Sequence, residues 1–78
     1  MKSMARLTRQ QGRSALRMAK TVKGRAQLNE MLALQQDAWQ RLETLVDQGV
    51  TAPHVLKERE DVSHNLRVLQ TALGSFQA

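Results

Sequence analysis

Lys2, Arg6, Arg9, Arg13, Arg17 and Lys20 follow one another at spacings of 4, 3, 4, 4 and 3. On a helix, at about 100° per residue, these six fall within roughly 80° of one another. Lys23 and Arg25 continue the basic segment, and the first acid of the chain is Glu30. Cations aimed one way, with no acid among them, can neutralise several phosphates of a polyanion at once. Four of the six are Arg, whose planar fork fits phosphate oxygens or base edges better than the point charge of Lys does. These eight residues are the expected nucleic-acid-binding set, for DNA or RNA, with an acidic protein surface as the other polyanion. The plainer explanation is a solvated face that keeps a small protein soluble. Such faces mix both signs of charge, and this one does not.

Reading of base sequence has less support. No zinc-finger spacing is present, and no aromatic residues interleave the cations as base-stacking platforms do. A helix–turn–helix reader needs a three-helix core, whereas the loop near Gly49 reads as a hairpin link. Backbone or shape recognition is the expectation.

Other chemistry finds no foothold. His54 and His64 are ten apart, with Glu58, Glu60 and Asp61 nearby. A metal-ligand pair on one helix face is spaced i,i+3 or i,i+4 within a fuller set, so no metal is expected. Ser63 and His64 are adjacent, so on a helix their side chains diverge. There is no Gly-rich phosphate loop, and two antiparallel helices offer no cleft of their own. The expectation is a non-enzymatic protein with no cofactor and no small-molecule substrate.

A basic amphipathic helix can also lie on a membrane surface or act as a transit peptide. Both uses need a bulky apolar face opposite the charges. Met4, Leu7, Met18 and Val22 make a thin one, so neither use is expected. No apolar run reaches the length of a membrane span, and none resembles a secretory h-region. The chain has no Cys. A reducing cytoplasm suits that composition.

The elements that must carry the cations are helical. With 78 residues the chain forms one small unit, marginal on its own. Residues 1–26 hold eight cations and no acid, and residues 27–78 hold four cations against seven acids. This divides the chain into a basic N-terminal arm, 1–26, and a mildly acidic body, 27–78. In the body Leu28, Met31, Leu32, Ala38, Trp39, Leu42, Leu45 and Val46 recur at helical spacing over 27–48, broken by Gln35. Gly49 suits a left-handed helix end, Thr51 a cap, and Pro53 a first-turn position. A second helix follows over 53–74, with Gly74 fraying its end. Val55, Val62, Leu69 and Phe76 are seven apart, as are Arg59, Leu66 and Leu73, which is a heptad seam with one charged member. Lys57–Asp61 and Glu60–His64 are i,i+4 pairs on its outer side. So short a link makes the two helices antiparallel neighbours.

Two helices share one contact line. Leu32, Trp39, Val46, Leu56 and Val68 would then stay partly uncovered, and a second hairpin, giving a four-helix homodimer, is the simplest cover. A heterologous partner helix is the alternative cover. The expected interface residues are Leu28, Leu32, Trp39, Leu42, Leu45, Val46, Val55, Val62, Leu66, Leu69 and Leu73. Trp39 is the one large aromatic of the hairpin and could anchor a partner. Gln35 and Arg59 are polar members of apolar seams and could set register.

The arm is expected to be marginal alone and ordered by a partner. Gly12 costs about 1 kcal/mol against Ala in a helix. Arg9–Arg13 and Arg13–Arg17 are like-charge i,i+4 pairs, each destabilising by roughly 0.2–0.5 kcal/mol. Ser3 or Thr8 could cap its start and Gly24 could end it; one continuous helix from about 4 to 48 is the other arrangement.

In outline, residues 28–76 resemble the helical hairpins of small bacterial RNA-binding regulators and, equally, small co-chaperones of type III secretion. The likeness is one of architecture and transfers no residue or activity. The leading expectation is therefore an all-α regulatory or accessory protein that dimerises through its hairpin, with coiled-coil-like packing, and binds nucleic-acid phosphates with its arm. The alternative is a protein-binding adaptor or co-chaperone that uses the apolar hairpin face, Trp39 and the basic arm.

Overall fold

The computed structural model describes residues 5–77, with the side chains described as far as Gly74. Lys2, Ser3 and Met4 of the basic arm, and the side chain of Phe76, lie outside that range. The described residues form three helices and no strand: α1 Arg9–Met18, α2 Val22–Asp47 and α3 Pro53–Gln77. None is long and apolar enough to cross a membrane.

Helix α1 opens on a reciprocal cap. Thr8 Oγ1 accepts from the Gln11 N–H at 3.1 Å, and Gln11 Oε1 accepts from the Thr8 N–H at 2.8 Å. Two of the orphan donors that every helix start leaves are thereby satisfied. Before Thr8 the chain is not helical, so residues 5–8 do not continue the helical period of the cation stripe.

The chain does not run as one helix from 4 to 48, nor does Gly24 end the arm helix. The break falls at residues 19–21. Thr21 caps α2 by accepting from the Gly24 N–H at 2.9 Å. At the other side of the turn, Arg25 Nη1 donates to the Ala19 carbonyl at 3.0 Å. Gly24 belongs to the first turn of α2, where a Cβ would stand 1.9 Å from the Met18 carbonyl oxygen. The turn is this tight because position 24 has no side chain. Helix α2 therefore starts at Val22 rather than Gln27.

At the far end of α2, Gly49 adopts φ 88. Its N–H donates to the Val46 carbonyl at 2.9 Å, and that of Val50 donates to the Leu45 carbonyl at 2.9 Å. These paired bonds close a helix end through a left-handed residue, as expected from Gly49. Pro53 opens α3. The residue before it is Ala52, whose carbonyl accepts from Val55 and Leu56, so Thr51 does not hold the capping position. Helix α3 runs on through Gly74 to Gln77; one exposed Gly costs too little to stop it.

Helices α2 and α3 run antiparallel: rising α2 numbers meet falling α3 numbers, from Leu28 beside Leu69, through Gln35 and Asn65, to Glu43 and Arg59. Their seam is divided by a polar layer. One cluster joins Leu28, Leu69 and Ala72 to Ala15 and Ala19 of α1. The other joins Leu42, Val55 and Val62, flanked by Ala38, Trp39, Val46 and Leu66. Between them lies Asn65, wholly buried.

The arm is thus not set apart from the body. Helix α1 packs against both α2 and α3, and Ala15 and Ala19 are core residues. The residues that dock it are small, with Gly12, Ala15 and Ala19 at helical spacing. Small side chains let helix axes come close and bury backbone as well as methyls. The bulky residues expected to form that face contribute less: Leu7 and Met18 pack at its edge, while Val22 is 76% exposed. Three helices, rather than two, make this core.

Candidate functional site

A ten-residue helix is too short to be stable alone in water. Beside the buried alanines, the segment before α1 fastens it. Asn65 Oδ1 accepts from the Leu7 N–H at 2.8 Å, and Asn65 Nδ2 donates to the Ala5 carbonyl at 3.0 Å. The side-chain amide thus pairs with the backbone of residues 5–7 as another strand would. Its second Nδ2 hydrogen reaches Gln35 Oε1 on α2 at 3.4 Å. His64 Nε2 lies 3.1 Å from the Leu7 carbonyl; a carbonyl only accepts, so Nε2 carries the hydrogen in this contact. Arg6 meets Asp61, 3.8 Å away, and Asp61 also takes Lys57 Nζ at 3.1 Å. Lys57–Asp61 is the i,i+4 pair expected from the sequence. His64 turns instead to the arm, away from the expected pairing with Glu60.

This clamp redistributes the basic set. Arg9, Arg13 and Arg17 share the exposed side of α1, away from the buried alanines. Arg6 precedes the helix and is drawn to Asp61; Lys20 follows it in the turn. Only the middle of the stripe is therefore a helix face. Lys20 and Lys23 are exposed. Arg25 is half-buried and ties α2 to the end of α1, a fastening role that the sequence does not suggest. Arg17 Nη2 makes a long contact, 3.4 Å, with Ser14 Oγ.

The cations of α1 have a partner from the other end of the chain. Arg9 and Arg13 line an open groove between α1 and α3 with Arg67 and His64 of α3. Gly12, Leu16, Val68, Thr71 and Ala72 complete its walls, and no carboxylate is among them. The groove is narrow at its floor, where a Cβ on Gly12 would lie 3.6 Å from Val68 Cγ1. In the sequence Arg67 is only one of four cations in an acidic body. Its signal there is faint: it lies three residues after His64, on the same side of α3.

The expected interface residues divide by burial. Leu28, Leu42, Val55, Val62 and Leu69 are buried within this chain. They are consumed by the intrachain core, so none is left to face a second copy. Leu32, Trp39, Val46, Leu66 and Leu73 are half-buried against the two clusters, and Leu45 is exposed. One face of Trp39 is covered by Arg59, whose guanidinium carbon is 5.1 Å from the ring centroid. Arg59 Nε also donates to Glu43 Oε1 at 2.6 Å. Arg59 therefore bridges α2 and α3 by charge and ring contact rather than reaching out to water alone. Among the described residues, no group of three His, Asp or Glu side chains is placed to hold a metal ion.

The fold and site together define a small all-α, three-helix protein with an acid-free cationic groove. No family model, curated protein or solved structure matches the chain.

Proposed function

We propose that this chain is a small non-enzymatic accessory or regulatory protein of the cytoplasm that binds nucleic-acid phosphates through α1. The observation that carries this reading is the state of Arg9, Arg13 and Arg17. All three are exposed, and among the described residues none forms an ion pair. Arg6, Arg41, Lys57 and Arg59, which do form ion pairs, lie elsewhere. Helix α1 is held in place by its own chain, so binding does not first have to order it.

The test is titration of a labelled oligonucleotide across a salt series. Three phosphate contacts give a log–log slope of about −2 on a single strand and about −3 on a duplex. The triple variant Arg9→Gln, Arg13→Gln, Arg17→Gln should lose most of that slope. A complex whose affinity ignores salt would rule these residues out as the binding element.

The second reading, a protein-binding adaptor, is favoured by Leu34, Leu45 and Leu56, which stay exposed on α2 and α3. Leu34 and Leu45 are about three helical turns apart on one side of α2. In the first reading these residues would pair two copies and double the cationic surface; in the second they would take a heterologous helix. Light scattering on the purified protein, with Leu34→Ser and Leu45→Ser as controls, distinguishes the two covers.

A further inference from the structure

We infer that the groove between α1 and α3 is a seat for a single polynucleotide strand, with Arg67 a contact residue equal in rank to Arg9 and Arg13. The inference rests on the nucleic-acid reading above and gives it a path across the molecule. Residues 9 and 67 are far apart in sequence, yet their side chains line one groove with Arg13. Cations thus stand on both rims, two from α1 and one from α3.

The chemistry of the lining points to the ligand. A polynucleotide strand alternates charged phosphates with sugars whose C–H faces are apolar. The groove offers both kinds of surface, with guanidinium groups and the apolar side chain of Leu16 lining it above a floor of Val68 and Ala72. A small inorganic anion would use the rims and leave the floor wet. A polar acidic helix would pair with the rims through its carboxylates and bring no apolar surface to the floor. A duplex is broad and would touch the rims alone. A single strand is slender enough to bring its sugars down to the floor. No Phe, Tyr or Trp lines the groove, so the fit rests on the backbone more than on base stacking. Arg9 and Arg13, one turn apart, are separated by about 6 Å along the helix, a step suited to successive phosphates of an extended strand.

The experiment uses fluorescence anisotropy with a labelled mixed-sequence oligonucleotide, single-stranded and as its annealed duplex. Arg67 is exposed, so Arg67→Gln should fold normally, which far-UV circular dichroism checks. It should weaken single-strand binding about three- to tenfold and reduce the salt slope by about 0.7, one contact's worth on a single strand. Leu16→Ser, in the apolar lining, should weaken the single strand and leave duplex binding unchanged. Arg41→Gln, on α2 and paired with Asp37, should change neither. If Arg9→Gln with Arg13→Gln abolishes binding while Arg67→Gln binds as the wild type does, the groove is wrong and the α1 reading survives. If the duplex binds better and Leu16→Ser is silent, the apolar lining plays no part and the single-strand seat is overturned. If the wild type binds neither oligonucleotide, both readings fall.

Discussion

Replacing Asn65 by leucine should separate two things that the native chain holds together. Leucine is close enough to asparagine in length and branching that the substitution makes little cavity. It removes the acceptor for the Leu7 N–H and the donors to the Ala5 carbonyl and Gln35. An intramolecular hydrogen bond contributes about 1 kcal/mol net, and a buried partner left unsatisfied costs about 1–3 kcal/mol. Residues 5–8 can escape the second penalty by swinging out into water. The expected loss of docking is therefore about 2–3 kcal/mol, the two backbone bonds and part of the third. Against this, the introduced leucine would join the two apolar clusters into one seam, so the contact of α2 with α3 should hold or strengthen. The two effects have opposite signs on different elements. Amide hydrogen exchange reads them separately. Protection over residues 9–18 should fall about 30- to 150-fold, since about 1.4 kcal/mol is tenfold. Protection around Val55 and Val62, in the cluster that α1 does not touch, should not fall. Undocked, α1 is too short to stay helical, and single-strand binding should weaken with it. If exchange over 9–18 is unchanged while the whole chain is destabilised uniformly, Asn65 is merely a core residue and the clamp argument is refuted.

Two further substitutions test how α1 is held. Gly24→Ala would drive a methyl group into the Met18 carbonyl; because that atom is backbone, the turn must open, and thermal denaturation should show a loss of at least about 2 kcal/mol. Gly12→Ala meets only an ordinary contact with Val68, so the better helix former should stabilise α1 by about 0.5–1 kcal/mol, read as a rise in the urea midpoint with an unchanged slope.

The half-visible polar seam shows how far sequence reading reaches. Gln35 stands out as a polar residue among apolar ones, and a register role can be read from it. Its partner Asn65 does not stand out, because Leu66 beside it satisfies the heptad and draws the pattern one residue aside. Arg59 is also conspicuous, yet the contacts it makes with Trp39 and Glu43 lie on the facing helix and leave no local mark. Helix α1 departs from expectation for a different reason. Its cations weigh as charges that oppose a helix, and its apolar side is sought in Met4, Leu7, Met18 and Val22. The docking side is Gly12, Ala15 and Ala19, which are weakly hydrophobic and bind by closeness.

What the amino-acid sequence determined by itself is what acts within a turn or two: helical spacing, the stop at Gly49, the start at Pro53, and an N-terminal segment rich in cations and empty of acids. Capping bonds and side-chain periodicity are local, so those features needed no knowledge of the rest of the chain. Tertiary structure alone decided that the basic segment, once turned at residues 19–21, would pack back on the body and be fastened by Asn65 across 58 and 60 residues. It alone brought Arg67 to Arg9 and Arg13. Such pairings depend on which buried surfaces fit once the helices have met, and no interval along the chain encodes that meeting.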